Sequence, residues 1–203
     1  MKKIPTLFKR TFENHKVVGI TDEITPGCEE AFLRGVATIK YDGSCCAIID
    51  GGFYKRFDAK PGRKIPEGAI PCCESDPITC HHPHWVKVDS NNPADKWFIE
   101  ALDYYVDKLI SMDYIDFGDP LPDGTYEAIG PHFNGNPYNL VNDTLVLHGY
   151  QMVDQLNDCK RSFDDIKAFL QNNNIEGIVF WLDGEPVCKI KRTDFGLPWP
   201  VKE

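Results

Sequence analysis

The sequence has no long apolar run, no internal repeat and no excess of positive charge. Its apolar stretches are shorter than a membrane span, and the first residues, MKKIPTLFKRTF, lack the apolar segment of a secretion signal. The formal net charge is −9, so the whole chain does not attract nucleic acid, and any polyanion site must be a local basic patch. We therefore expect a soluble cytoplasmic protein without a membrane partner.

Paired CxxC spacing is also absent, although the chain contains eight cysteines. Disulfides are not expected without a secretion signal. The densest group of soft metal ligands is CCESDPITCHHPHW, residues 72–85. Because structural zinc sites usually contain closely paired cysteines, we interpret this stretch as a surface loop, with a zinc site as the weaker alternative.

Hydrophobic residues make up 42% of the 203, enough for a sizeable core. Short apolar runs alternate with turn signals, and residues 92–112 and 162–174 have helical spacing. Ser162 with Asp165 predicts a capping box at the start of the second helix. The pattern predicts an α+β fold of antiparallel strands with flanking helices, in one domain over residues 1–203.

One apolar run, TIKYDGSCCAII, contains a lysine, Lys40. The runs VATIKY and CCAIID are separated by Asp42-Gly43, and FYKRFD follows the turn DGG, so we predict a local β-meander that begins with the strand of Lys40. Lys40 is either a solvent-facing residue of an edge strand or a nucleophile held in a pocket.

Two further lysines, Lys189 and Lys191, are two residues apart and share one face of a predicted strand. The turn at Asp183-Gly184 predicts a hairpin between GIVFWL and VCKIKR, which brings Glu176 near the lysines if the register allows. Alone, this pair would be interpreted as solvated edge residues. Together with KYDG, the lysine pair indicates a functional site.

Five motifs follow one another along the chain: KYDG, YKRFD, GTYEAIGP, EGIVF and CKIKR. This order resembles the covalent nucleotidyltransferase superfamily of DNA ligases, RNA ligases and mRNA capping enzymes. The segments ATIKYDG, KRFDAKPGRKIPEGAIPC, EAIGPHFNGNPY and LHG resemble the small stand-alone ATP-dependent RNA ligases known from vertebrates and some viruses. The resemblance covers nearly the whole chain. It implies an antiparallel-sheet, ATP-grasp-like adenylation domain, and with only a dozen residues after Lys191 we expect no OB-fold domain.

The resemblance implies that Lys40 takes up AMP covalently. An ordinary lysine has a pKa of about 10.4, and burial with nearby cations would lower the pKa of Lys40 and make its amine nucleophilic. Lys189 and Lys191 are then expected to stabilise charge on the α-phosphate.

The other motifs imply nucleotide contacts. Arg56, with Lys55 as the alternative, is expected to bind the ribose or a phosphate, because a guanidinium holds phosphate with two hydrogen bonds. Glu127 is expected to accept hydrogen bonds from the ribose hydroxyls. Glu176 is expected to bind Mg²⁺, with Mn²⁺ as the alternative, through water.

Three assignments are less direct. His148, or alternatively Tyr150, is expected to stack on adenine. Asp42 orients the loop or a metal, and Gly43 lets the chain turn and the nucleotide approach closely. Many DNA ligases have a base-reading glutamate two residues before the nucleophile, where this chain has Thr38.

The implied function is an ATP-dependent RNA ligase with Mg²⁺ as cofactor. ATP would adenylate Lys40, AMP would pass to an RNA 5′-phosphate, and a 3′-hydroxyl would displace AMP. DNA nick sealing and adenylylation of protein or RNA use the same chemistry and remain open. From another class, the alternative is a nucleotide- or RNA-binding module without turnover. The complete set of motif lysines and glutamates favours the enzyme.

Overall fold

The computed structural model describes residues 3–77, 79–158 and 160–201. Its strands are Phe8–Glu13 (β1), Lys16–Ile24 (β2), Val36–Lys40 (β3), Ser44–Ile49 (β4), Gly52–Ala59 (β5), Ile70–Pro71 (β6), His82–Lys87 (β7), Gly124–Ile129 (β8), Thr144–Leu147 (β9), Gly177–Leu182 (β10) and Glu185–Lys191 (β11). Its α-helices are Glu29–Arg34 (α1), Lys96–Ser111 (α2), Asp154–Asn157 (α3) and Phe163–Asn172 (α4). These strands pair antiparallel, so the predicted α+β class is confirmed. None of the described helices is long and apolar enough to cross a membrane.

The chain forms two compact units. One unit is Asp42–His148, and the other combines Lys3–Tyr41 with the described residues from Gly149 onward. The chain passes from one unit to the other between Tyr41 and Asp42, directly after β3. One adenylation domain over residues 1–203 stays a prediction.

The unit Asp42–His148 is built on a six-stranded sheet with the order β6-β7-β5-β4-β8-β9. Helix α2 covers one face of this sheet, after a 3-10 turn at Pro93–Asp95 that agrees with the predicted helix start. One cluster of buried apolar residues joins α2 to the sheet and to the loop after β8: Cys46, Ile48, Ala101, Tyr126, Ala128, Phe133 and Leu145. Because strand residues alternate in direction, their sequence neighbours project to the opposite face.

The other unit contains a three-stranded sheet with the order β11-β10-β3 and the separate hairpin β1-β2. One face of the three-stranded sheet packs on the helices in a core of Leu7, Phe8, Cys28, Ala31, Ala37, Val153, Leu156, Ile166, Leu170, Ile178, Phe180, Cys188 and Ile190. Helix α4 begins with the predicted capping box, in which Ser162 and Asp165 each accept a hydrogen bond from the backbone of the other. The predicted hairpin β10-β11 is also confirmed.

The predicted β-meander is wrong in its first pairing, whereas its second pairing, between CCAIID and FYKRFD, is confirmed. Strand β3 pairs with β10, whereas β4 pairs with β5 and β8. The Asp42-Gly43 signal marks a close packing contact, because a Cβ at Gly43 would lie 2.2 Å from the carbonyl oxygen of Ala128. An Asp-Gly pair is typical of hairpin turns, and here the glycine is required for another reason.

The apolar run DTLVLHGYQMV, residues 143–153, forms a strand only in its first part. Strand β9 ends at Leu147, and Gly149 adopts a left-handed φ of 76°. This conformation, which favours glycine, redirects the chain after His148. The later part of the run makes an isolated bridge between Met152 and Thr38.

Candidate active site

Lys40, Gly177 and Lys191 form one row across the three-stranded sheet. Gly177 of the central strand pairs with Lys40 on one side and Lys191 on the other. Directly paired residues of antiparallel strands project to the same face, so two lysine side chains flank a position that has none. A Cβ at Gly177 would lie 2.3 Å from the carbonyl oxygen of Ile190, so the backbone packing requires glycine there.

Glu176 joins the two lysines of this row. Its side chain is only 6% exposed, and one carboxylate oxygen accepts a hydrogen bond from Lys40 Nζ at 2.5 Å. The other oxygen accepts from Lys191 Nζ. The predicted approach of Glu176 to Lys191 is therefore confirmed. Strand β3 is at the edge of its sheet, yet the Lys40 side chain is 23% exposed and contacts Glu176.

Lys189 belongs to the same cluster of charges. Burial lowers the pKa of Lys189 to about 8, and the charges of Lys40 and Lys191 act in the same direction. Glu176 acts in the opposite direction and does not compensate. Three ammonium groups around one carboxylate leave a surplus of positive charge, which favours an anionic ligand.

The lowered pKa of Lys189 predicts a pH-dependent stability. Between pH 8 and about 10.4 the unfolded chain holds this proton and the folded protein does not, so unfolding free energy rises with pH in that window. Below pH 8 Lys189 is charged in the folded protein, and the unfolding free energy is lowered by the full cost of burying this charge. Lys189→Met should raise the unfolding free energy at pH 7 by about 1–2 kcal/mol, allowing for solvent screening, and much less at pH 10. Urea unfolding at pH 7 and pH 10 measures the two differences in unfolding free energy. Equal increases at both pH values would indicate a packing effect instead.

Thr38 lies where many DNA ligases have a base-reading glutamate. Its hydroxyl accepts a hydrogen bond from the indole nitrogen of Trp181 at 2.8 Å and lies 3.4 Å from the carbonyl oxygen of Val179. The residue is buried. These contacts hold β3 to β10, so the hydroxyl of Thr38 has a structural role.

In the unit Asp42–His148, Glu127 and His148 form a pair on the sheet face opposite α2. Nε2 of His148 lies 2.9 Å from Oε2 of Glu127, and its Nδ1 lies 2.9 Å from Oγ1 of Thr125. The backbone N–H of Gly43 donates to Oε1 of Glu127 at 3.1 Å. Glu127 therefore contacts both the KYDG motif and the residue expected to stack on adenine.

Lys55 and Arg56 project to opposite faces of the same sheet. Lys55 pairs with Cys46 on the α2 face, where its ammonium donates to the buried carboxylate of Asp95. Arg56 is exposed on the other face, which it shares with Glu127. In the structure Lys55 is therefore held in an ion pair, whereas Arg56 lies on the Glu127 face.

The two aromatic candidates lie in different units. His148 is mostly buried beside Glu127, whereas Tyr150 is 72% exposed in the other unit. Which of them stacks on adenine stays a prediction.

Asn134 contacts the KYDG motif, although no sequence pattern indicates this. Its Nδ2 donates to the Asp42 carboxylate and to the Gly43 carbonyl oxygen, both at 2.8 Å. The Asp42 N–H donates to the hydroxyl of Tyr138 at 2.7 Å. The segment PHFNGNPY indicates only a loop, and the left-handed φ of Asn134, 46°, is of a kind that asparagine tolerates. Its contacts become visible only in three dimensions.

The cysteine- and histidine-rich stretch connects β6 to β7. His84 is buried, with its Nδ1 2.7 Å from the carbonyl oxygen of His82, and Cys80 is exposed. Ile78 of this stretch lies outside the described residues. That zinc is not required here stays a prediction.

Within the described residues, the cluster of metal-ligand atoms is elsewhere, at Cys45, Glu127 and His148. Burial, followed by the charge of Glu127, raises the pKa of the Cys45 thiol to about 12. This thiol is therefore neutral and a poor nucleophile near pH 7.

Comparisons with known proteins agree with the motifs. A family model described as RNA ligase 1 matches residues 54–203. The chain is 26% identical to RNA ligase 1 of Danio rerio over 276 residues, which cover all of this chain and 83% of that protein. It is 23% identical to RNA ligase 1 of Pongo abelii and 25% identical to that of Rattus norvegicus, in each case covering 96% of this chain and 78% of the relative.

Proposed function

The chain belongs to the RNA ligase 1 family, and we propose that it uses ATP to join an RNA 3′-hydroxyl to an RNA 5′-phosphate through AMP bound to Lys40. The observation that carries this proposal is the cluster of three lysines around the Glu176 carboxylate. Such a cluster combines an amine nucleophile with the positive charge that a polyphosphate needs.

In the first step, the neutral Nζ of Lys40 attacks the α-phosphorus of ATP. A P–N bond forms, the bond to the pyrophosphate oxygen breaks, and the proton lost by Lys40 goes to solvent. Lys191 and Lys189 project from the same sheet face and meet the negative charge that grows on the phosphate. A phosphate also favours the charged form of Lys189, so the lowered pKa of the free protein rises when the anion binds.

Two further steps complete the reaction. A 5′-phosphate oxygen of RNA attacks the phosphorus of the adduct, the P–N bond breaks, and Lys40 is released while the RNA end carries AMP. The 3′-hydroxyl of the other end then attacks the RNA 5′-phosphorus, and AMP leaves with the bridging oxygen. Both steps again transfer a phosphoryl centre, so the same positive charges serve all three.

Glu176 is the residue that we propose for a divalent metal ion, Mg²⁺ or Mn²⁺. The donor chemistry fits, because Mg²⁺ is commonly held by one or two carboxylates together with phosphates and water. Both oxygens of Glu176 contact lysines, and a cation held by this carboxylate would free Lys40 and Lys191 to face the phosphates. When bound, the ion would neutralise part of the phosphate charge.

Glu127, Arg56 and His148 are proposed to bind the nucleotide. All three lie on the sheet face opposite α2, where carboxylate, guanidinium and imidazole groups suit ribose hydroxyls, phosphate and base respectively. Gly43 holds the Glu127 carboxylate in place through its N–H.

The proposed substrate predicts discrimination between RNA and DNA. RNA ends should be joined at least about tenfold faster than matched DNA ends, because a 2′-hydroxyl beside the reacting 3′-hydroxyl is what distinguishes RNA at a single site. Three substrates measure this on a gel: all RNA, all DNA, and DNA with one ribonucleotide at the 3′ end. The third should recover most of the RNA rate.

Equal rates on all three substrates would contradict RNA selectivity and favour DNA nick sealing. If none of them yields a joined product, the non-catalytic alternative is favoured. The whole-chain charge of −9 implies that few phosphates are contacted, so joining should fall only moderately as salt rises.

Asn134 is proposed as a positioning residue for the KYDG motif. Asn134→Ala should slow adenylation about tenfold, because it releases the Asp42 carboxylate and the Gly43 carbonyl. Asn139→Ala is a matched control, since both asparagines are exposed and have a left-handed φ, 46° and 52°. The rate constant should fall more than the affinity for ATP, and an equal effect of both substitutions would mean that only backbone strain was changed.

A further inference from the structure

Cys45, Glu127 and His148 bring a thiol, a carboxylate and an imidazole together. Cys45 on β4 is paired directly with Glu127 on the neighbouring strand β8, and His148 follows β9, the next strand. The candidate ligand atoms of these three side chains all lie within 4.8 Å of one another. The proposed ligase chemistry assigns nothing to Cys45.

We propose that these three residues form a binding site for a thiophilic divalent cation of the Zn²⁺ class, and that its occupation excludes the nucleotide. The second half of this proposal rests on the proposed function, in which Glu127 and His148 hold the ribose and adenine. The metal-binding site itself does not depend on the proposed reaction.

The ligand set has the chemistry of a zinc site. Zinc binds cysteine sulfur at about 2.3 Å and histidine nitrogen or carboxylate oxygen at about 2.0–2.2 Å, which in a tetrahedron separates neighbouring ligand atoms by roughly 3–4 Å. The three side chains already lie within that range or slightly beyond it. Three protein ligands leave the fourth position to water. Mg²⁺ is not the expected occupant, because it prefers oxygen ligands.

Outer contacts orient two of the three ligands. Thr125 Oγ1 contacts Nδ1 of His148 and leaves Nε2 directed at the cluster. The Gly43 N–H contacts Oε1 of Glu127 and leaves Oε2 directed at His148. Such outer-shell contacts fix the imidazole tautomer and the carboxylate orientation in metal sites. Binding would form a sulfur–metal bond and release the thiol proton of Cys45 to solvent.

Cobalt(II) titration of the full-length protein tests the site without any reaction. One Co²⁺ should bind per chain, with the near-ultraviolet absorption of a cobalt–thiolate bond, and Zn²⁺ should displace it. Cys45→Ser should lose this absorption, whereas the matched control Cys80→Ser, an exposed cysteine of the 72–85 stretch, should keep it. No thiolate band in the wild type, a band that persists in Cys45→Ser, or one lost in Cys80→Ser would overturn the site.

Two measurements test the exclusion of the nucleotide. In the wild type, adenosine should weaken Co²⁺ binding, because it offers the ribose and adenine without the phosphates that would chelate the metal; this measurement needs no variant. At stoichiometric Zn²⁺, adenylation in the presence of Mg²⁺ should slow at least about tenfold and recover as ATP is raised, while Cys45→Ser should keep its own zinc-free rate. Metal binding that leaves both adenosine binding and adenylation unchanged would overturn the exclusion. Failure to adenylate without zinc would instead count against the proposed function, and the cobalt titration would still decide the site.

Discussion

Lys40→Ala should abolish both self-adenylation and RNA joining, with a loss of about a thousandfold or more in each rate. Without the ε-amine, no P–N bond to AMP can form, and both later steps depend on it. Lys40→Arg should fail equally, because a guanidinium stays protonated and cannot attack phosphorus. Radiolabelled AMP uptake and gel-based joining measure the two losses separately.

The fold should survive this substitution, because Glu176 keeps its ion pair with Lys191. Lys108→Ala serves as the matched control: Lys108 is exposed near the end of α2, a helix that covers the sheet face opposite Glu127 and His148, and its removal should leave both rates unchanged. A Lys40→Ala protein that still takes up AMP would remove Lys40 from the mechanism.

Glu176→Gln should slow adenylation by about a hundredfold. The glutamine keeps the shape of the side chain but removes the negative charge between Lys40 and Lys191, so three ammonium groups are left to repel one another. It also removes the carboxylate proposed for Mg²⁺, so the rate should require higher Mg²⁺ concentrations. Adenylation rates across a Mg²⁺ titration measure both effects.

The same substitution should lower the unfolding free energy by about 2 kcal/mol, less than for a fully buried pair because both lysines are partly exposed. Glu30→Gln is the matched control, since Glu30 forms an exposed ion pair with Arg34 on α1. A Glu176→Gln protein with wild-type adenylation at every Mg²⁺ concentration would contradict the role of this carboxylate.

Local signals predict the elements whose partners are close in sequence. The capping box of Ser162 and Asp165 and the hairpin around Asp183-Gly184 each depend on residues a few positions apart. The pairing of β3 with β10 is different, because Lys40 and Glu176 are 136 residues apart and no local pattern links them. The Asp42-Gly43 pair even favours a wrong pairing of β3 with β4. A glycine that packing requires cannot be distinguished in the sequence from a glycine that a turn requires.

The motif order similarly indicates candidate site residues but not their contacts. It names Lys40, Lys191 and Glu176 but does not show that one carboxylate receives both ammonium groups. Strand alternation separates Lys55 from Arg56 only once the register of β4 and β5 is known. Asn134 has no signal beyond a loop-forming composition, because its contacts depend on how that loop folds onto Asp42.

Mapping the adenylated residue decides whether Lys40 is the nucleophile. The full-length protein is incubated with ATP and Mg²⁺, digested, and its peptides are sequenced by mass spectrometry. We predict one AMP per chain, on Lys40, and its loss when RNA with a 5′-phosphate is added. Lys189 is the natural rival, because its pKa of about 8 leaves more neutral amine than an ordinary lysine has. AMP on Lys189, or no adduct at all, would contradict the proposal that Lys40 carries AMP.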